Sequence, residues 1–249
     1  DVTVQQVKVP ADTEIDDEFA KNLGLENLDK LKELLRGQLE QETAGLTRTQ
    51  MKRQLLDKLR AQLDAAGVPQ GVTSGNHDIT ANGLSGEPYI PQNYLAFFGP
   101  DRYVGEPYFR SASPTGMSSW QIFEGDDREF ISLSVECETP PSELAWAQGV
   151  LDRHRDKAVM FTTHRYLQDA EDYTAGVPIV SSGRYPDIWY LVEPPRQPDG
   201  IQAEELFQWF VRRNPNIFLV NCGHFHEEYR QTSTNVAGLP VHEVHADYQ

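Results

Sequence analysis

Cysteine is nearly absent from this chain, with two residues, Cys137 and Cys222, among 249. Two thiols cannot build a disulfide framework, and they do not settle the compartment. Cys222 closes an apolar run and reads as a small buried hydrophobe rather than a reactive thiol. Basic residues are also scarce: 22 Lys and Arg stand against 38 Asp and Glu, a net charge of −16. That balance disfavours a nucleic-acid backbone as the main partner, because no cationic surplus exists to displace its counterions. No stretch approaches the roughly 20 apolar residues of a membrane span, so no membrane partner is expected. Asp1-Val2-Thr3-Val4 lacks the basic-then-apolar pattern of an export signal.

What is present suffices for a folded core. Apolar residues make up 39% of the chain, with 11 Phe, 10 Tyr and 4 Trp. The mean hydropathy of −0.56 predicts a long solvated segment beside that core. Val2–Val9 alternates in the manner of an edge strand closed by Pro10, and an acidic connector, Asp12–Glu18, follows. From Leu28 to Ala65, leucines at 28, 31, 34, 35 and 39, and again at 55, 56, 59 and 63, mark one stripe of an amphipathic helix. Gly45-Leu46-Thr47 predicts a break, giving two helices or one kinked one, and Gly67 with Pro69 predicts the end. The stripe reads as a packing face that needs a partner surface.

The run Val2-Thr3-Val4-Gln5-Gln6-Val7-Lys8-Val9, then Ile15-Asp16-Asp17-Glu18-Phe19-Ala20-Lys21, and on to Lys52-Arg53-Gln54-Leu55-Leu56-Asp57 resembles bacterial trigger factor, the ribosome-associated chaperone. The resemblance covers residues 1–60 as a strand and helical arm. It implies a chaperone-type binding module and a cytoplasmic location, and it carries no catalytic residue. The remainder, 61–249, has another character, rich in Gly, Pro and aromatics.

Within 61–249, three pieces are alike. Gly71–Ser74 runs into Gly75-Asn76-His77-Asp78, Ala158–Thr163 runs into His164, and Ile217–Asn221 runs through Cys222 into Gly223-His224-Phe225-His226. Each reads as a short strand delivering an imidazole or amide oxygen to its carboxyl end, where ligands of open α/β sheets gather. Gly223 is expected to make the sharp turn, and neutral imidazoles suit a transition metal. A lone His-x-His after a strand is more often a hydrogen-bonding pair at a surface turn, so the weight lies on the three pieces together. A hairpin is predicted from Trp120–Phe123 and Phe130–Val135 around Gly125-Asp126-Asp127. Helices are predicted at Glu143–His154 and Ile201–Arg213, a strand at Val241–Tyr248, and an aromatic-rich rim over Tyr166–Pro198. Ile79–Met117 reads as a packed surface segment. His154, His242 and His245 are expected to be structural, with His242 and His245 on opposite faces of their strand. Glu136, Asp126 and Asp127 read as ordinary hairpin acids.

Taken in order, these three blocks resemble the calcineurin-like metallophosphoesterases. The resemblance implies an α/β fold, here an incomplete sandwich of two sheets flanked by helices, and hydrolysis of a phosphoester small molecule by metal-activated hydroxide. It assigns Asn76, His164, His224 and His226 to divalent metal (Mn, Fe or Zn), His77 to leaving-group protonation or phosphate contact, and Asp78 to orienting His77. The family also carries an Asp-x-His and a Gly-Asp-x-x-Asp motif upstream, one of whose aspartates bridges two metals. Neither pattern precedes Asn76; Asp16, Asp17 and Asp57 lie on a connector and a helix. Two adjacent dications need shared anionic ligands, so the expectation is at most one ion and a weakened hydrolase. The alternatives are an inactive scaffold of the same type and the chaperone-type module of residues 1–60. The substrate and the oligomeric state stay open.

Overall fold

The computed structural model describes residues 15–80, 87–168, 183–184, 199–225 and 227–247; at 38–50, 52, 53, 56, 57, 60, 227 and 247 it describes the backbone alone. The edge strand expected at Val2–Val9, most of the rim at Tyr166–Pro198, and His226 therefore lie outside the described residues. The chain divides into two compact units, Asp1–Val68 and Pro69–Gln249.

The first unit is helical. Part of the expected acidic connector is helix α1 (Asp17–Asn22), because the Asp16 carboxylate accepts the Glu18 and Phe19 amides at 3.0 and 2.9 Å. Asp17 also accepts the Leu28 amide at 2.8 Å, tying α1 to the start of α2 (Leu28–Ala65), which Asn27 caps through the Lys30 amide. The break expected at Gly45-Leu46-Thr47 does not occur: α2 is one helix of 38 residues. A single glycine in a helix costs only about 1 kcal/mol, less than losing the hydrogen bonds of a turn. Its end falls as the sequence predicts, with Gly67 at φ +64° and the Val68 amide reaching back to the Leu63 carbonyl. Leu34, Leu35, Leu55 and Leu59 are exposed along it. Among the described residues no helix is long and apolar enough to cross a membrane.

The second unit is mixed α/β. Asn76–Ile79 forms the short helix α3, and Gln92–Phe98 forms α4, followed by a 3₁₀ turn at Pro100–Tyr103. Ile79, Tyr94, Met117 and Cys137 close into a small core there, so the stretch after Ile79 is packed as expected, although it contains helix and strand as well. The strands are β1 (Phe109–Ala112), β2 (Ser119–Gly125), β3 (Arg128–Ser134), β4 (Ala158–Arg165), β5 (Leu167–Gln168), β6 (Gly183–Arg184), β7 (Ile217–Gly223), β8 (Glu227–Thr234) and β9 (Pro240–Asp247). Helix α5 (Pro141–Arg153) lies between β3 and β4, and α6 (Ala203–Trp209) with a 3₁₀ turn at Val211–Arg213 precedes β7.

One seven-stranded sheet has the order β1-β2-β3-β4-β7-β9-β8, and β5 pairs with β6 in a two-stranded ribbon. Among the described residues this ribbon is the second sheet. The hairpin β2–β3 turns at Asp126 (φ 52°) and Asp127 (φ 59°), the double left-handed conformation whose twist suits a two-residue connection. Strands β3, β4, β7 and β9 run parallel, so their carboxyl ends share one edge of the sheet. The main core packs α5 and α6 residues, among them Leu144, Val150, Leu206 and Phe207, against Ile131, Leu133, Phe161 and Val220 of the sheet. Strand β8 and the edge strand β1 were not foreseen; β8 is polar throughout, Glu-Glu-Tyr-Arg-Gln-Thr-Ser-Thr, and gives no apolar alternation.

Candidate metal centre

Two of the three segments expected to bear ligands are strands, and the third is not. Residues 69–75 join neither sheet. They are held instead by side chains: Thr73 Oγ1 donates to the Val135 carbonyl, and the buried Ser74 Oγ accepts the Cys137 amide at 3.2 Å. Gly71 lies so close to Gln121, Ser132 and Ser134 that a Cβ there would sit 2.8–3.0 Å from their polar atoms. The polar side chains under this stretch, rather than a ladder of backbone bonds, decide its path. It then enters α3, where the Asp78 carboxylate accepts the Gly75 amide at 2.8 Å and closes the turn.

Asn76, at the head of α3, is buried; His164 and His224 are half-buried. His164 lies inside β4, one residue before its end, and His224 follows directly on β7. Their polar atoms form a near-equilateral triangle. Asn76 Oδ1 is 2.9 Å from His164 Nε2 and 3.1 Å from His224 Nδ1, and the two imidazole nitrogens are 3.1 Å apart. The rings stand edge to face, at 82° with centroids 5.0 Å apart, so their nitrogens meet without stacking.

The sharp turn expected at Gly223 is made by His224, whose φ is +89°. A Cβ on Gly223 would meet only ordinary contacts, 3.7 Å from the Ala246 carbonyl and 3.9 Å from His164 Nδ1. Gly75 is the glycine the site requires for space: a Cβ there would lie 3.2–3.3 Å from the His164 ring. A left-handed φ on a non-glycine residue costs free energy and persists only where the surroundings enforce it. Here the Phe225 ring stands edge-on to His224 at 4.6 Å.

The donor set fits one cation. Ligands about 2.1 Å from an ion and at right angles to one another stand about 3.0 Å apart, whereas tetrahedral ligands stand about 3.4 Å apart. The observed 2.9–3.1 Å matches the right-angled set. Among the described residues no cluster of three or more His, Cys, Asp or Glu side chains could hold an ion, so the amide of Asn76 is integral to the triad. His226 lies outside the described residues. His77 is exposed at the second position of α3, and the described hydrogen bond of Asp78 goes to the Gly75 amide rather than to His77.

The remaining singled-out residues behave differently from one another. Cys222 is buried, and burial pushes its thiol up to about 12, as suits a core residue. His242 is exposed and His245 buried, on opposite faces of β9. Glu136 is no ordinary hairpin acid: it is buried and accepts the Tyr89 hydroxyl at 3.0 Å. Sequence reasoning also missed the buried pair of Arg165 and Glu138, at 3.0 Å, and Arg184, which grips the buried Glu243 at 2.7 and 2.8 Å. An arginine on the buried phase of β4, next to His164, was the available signal for the first.

Comparison with known proteins separates two stretches. One of 87 residues, 35% of this chain, is 64% identical to trigger factor of Erythrobacter litoralis and covers 16% of it. The match to trigger factor of Sphingopyxis alaskensis runs over 78 residues, 31% of this chain, at 71% identity and covers 15% of that protein. Over 202 residues, 78% of this chain, it is 27% identical to the uncharacterized protein YvnB of Bacillus subtilis, covering 13% of that protein. The shares matched by trigger factor and by YvnB together exceed the whole chain, so the two stretches overlap rather than meet at a seam. No family model matches, and no solved structure matches. The chain is thus similar to trigger factor in one segment and distantly similar to YvnB over most of its length, and it spans 13–16% of these relatives.

Proposed function

We propose that the chain is a metal-dependent phosphoester hydrolase of the calcineurin-like type, using one divalent cation and weakened by the lack of a bridging aspartate. The convergence of Asn76 Oδ1, His164 Nε2 and His224 Nδ1 within 2.9–3.1 Å of one another carries this reading. When bound, the cation supplies Lewis-acid polarisation of a phosphoryl oxygen. The three donors would hold it, with water completing the shell. The right-angled spacing favours Mn or Fe over a four-coordinate Zn. His77, exposed next to Asn76, is the group assigned to protonate the leaving oxygen. Asp78 closes the turn that keeps His77 and Asn76 on one short helix.

A second reading, a metal-binding scaffold without turnover, is favoured by one observation: all three donors are neutral, so nothing in the triad anchors a second ion. The segment similar to trigger factor supports a separate client-binding role for the exposed leucines of α2. Purified chain loaded with Mn²⁺ should hydrolyse p-nitrophenyl phosphate or its bis-ester, with hydrolysis lost in His77→Ala and His224→Ala. Stoichiometric metal without hydrolysis would establish the scaffold instead, and activity surviving both substitutions would sink the assignment.

A further inference from the structure

The two segments that deliver Asn76 and His164 are not joined by a ladder, yet their polar atoms meet at 2.9 Å. What joins them is the turn after β3, residues 135–139. The Cys137 amide donates to Ser74 Oγ, two residues before Asn76, at 3.2 Å. The next residue, Glu138, pairs through Oε1 with Arg165 Nη2 at 3.0 Å, and Arg165 directly follows His164. One dipeptide therefore holds both ligand-bearing segments.

Strand β4 alternates, so Arg165 falls in the phase that buries Val159, Phe161 and Thr163. The guanidinium and the Glu138 carboxylate have side-chain exposures of 0% and 1%. A charge pair so buried is costly to desolvate, and an apolar pair would serve stability as well or better. The turn that carries Glu138 is itself constrained. Glu138 has φ +54°, its carbonyl would lie 2.6 Å from a Cβ on Gly200, and the Glu136 amide and carbonyl bond to Ser118 and Thr139 hydroxyls. None of these groups lies in the triad, and they fix the backbone on either side of it.

We propose that Glu138, acting through Arg165, and Ser74, acting through the Cys137 amide, are positioning residues that set the Asn76–His164 spacing. The inference rests on the reading of the triad as a cation site and deepens it. Removal of groups that orient metal ligands typically weakens metal binding about 10–100-fold. The test uses the full chain, Co²⁺ as the probe through its visible absorption, and thermal unfolding in parallel. The variants are Ser74→Ala, Glu138→Gln, Arg165→Met and the double Glu138→Gln/Arg165→Met. Each single charge removal should lower the melting temperature as well as affinity. The double variant removes both charges of the pair together and should regain melting temperature while still binding Co²⁺ about 10-fold or more weakly. Ser74→Ala should shift affinity in the same direction with little change in melting. Affinity within about twofold of the unaltered chain in both the double variant and Ser74→Ala would overturn the proposal. If the unaltered chain takes up no Co²⁺, the cation reading fails, and the imidazole ¹⁵N signals of His164 and His224 in metal-free protein decide the positioning claim. Changed signals in Ser74→Ala and the double variant would sustain it; unchanged signals would overturn it.

Discussion

His224 Nδ1 stands 3.1 Å from His164 Nε2, and both stand within 3.1 Å of Asn76 Oδ1. No placement of protons satisfies all three contacts. The amide oxygen only accepts, and each ring nitrogen either donates once or accepts. If both nitrogens donate to the oxygen, two N–H groups face one another. If one donates, the remaining edge sets two lone pairs together. A cation accepts all three lone pairs at once, so the triangle is a stronger pointer than any single distance in it.

Replacing the amide with a carboxylate should tighten the site. Asn76→Asp adds one negative charge to a neutral donor set, and affinity for divalent ions rises with ligand charge. The expectation is an affinity gain of roughly tenfold for Mn²⁺ or Co²⁺, while Asn76→Ala loses binding by at least as much. Calorimetric titration of metal into the two variants reads both directions.

Arg184 should matter for stability far more than its short ribbon suggests. Its guanidinium donates to Glu243 through Nε and Nη2, to Glu204 at 2.9 Å and to Ser233, and it lies 3.4 Å over the Phe207 ring. Burial opposes its charge, but the Glu243 carboxylate, with side-chain exposure of 0%, together with Tyr166 and Glu204 more than restores it. Arg184→Met strands that carboxylate and should cost about 3–5 kcal/mol in urea unfolding. Adding Glu243→Gln should recover most of the loss; an unmoved midpoint in Arg184→Met would contradict the network.

Alkali should unfold the second unit ahead of what its exposed groups require. Burial raises the hydroxyls of Tyr89, Tyr94 and Tyr166, and it lifts the Cys222 thiol to about 12. In the unfolded chain these groups ionise near 8.5 for Cys and 10 for Tyr, as exposed side chains do. Above those values the unfolded chain holds fewer protons than the folded one, so stability falls as pH rises, by up to about 1.4 kcal/mol per pH unit for each group. Below about pH 8 the four contribute no slope. Tyrosinate absorbance should therefore appear in two phases, the later one coinciding with loss of helical signal.

Several features written locally in the sequence are reproduced by the structure. Asp126-Asp127 between alternating apolar residues forms its two-residue hairpin turn, Gly67 ends α2, and the apolar runs at Ala158 and Ile217 are central strands. Each depends on neighbours within a few residues. Two of the misjudged features depend on distant partners. Gly71–Ser74 has the composition of a strand but lies on the hydroxyls of β3 and the turn beyond it; Glu136 resembles a hairpin acid until Tyr89 arrives from 47 residues away.

By itself, the sequence singled out which residues could bind an ion: an amide and three imidazoles, Asn76, His164, His224 and His226, near glycines or strand ends and with no carboxylate among them. Their chemistry is intrinsic to the side chains and needs no fold. Only the tertiary structure decided that Asn76, His164 and His224 meet, across separations of 88, 148 and 60 residues, to within 3.1 Å. That meeting depends on parallel strands sharing one edge and on a turn that ties a segment outside the sheet to a strand within it. Closing such long loops is repaid only by the burial of the whole core, and no local pattern records it.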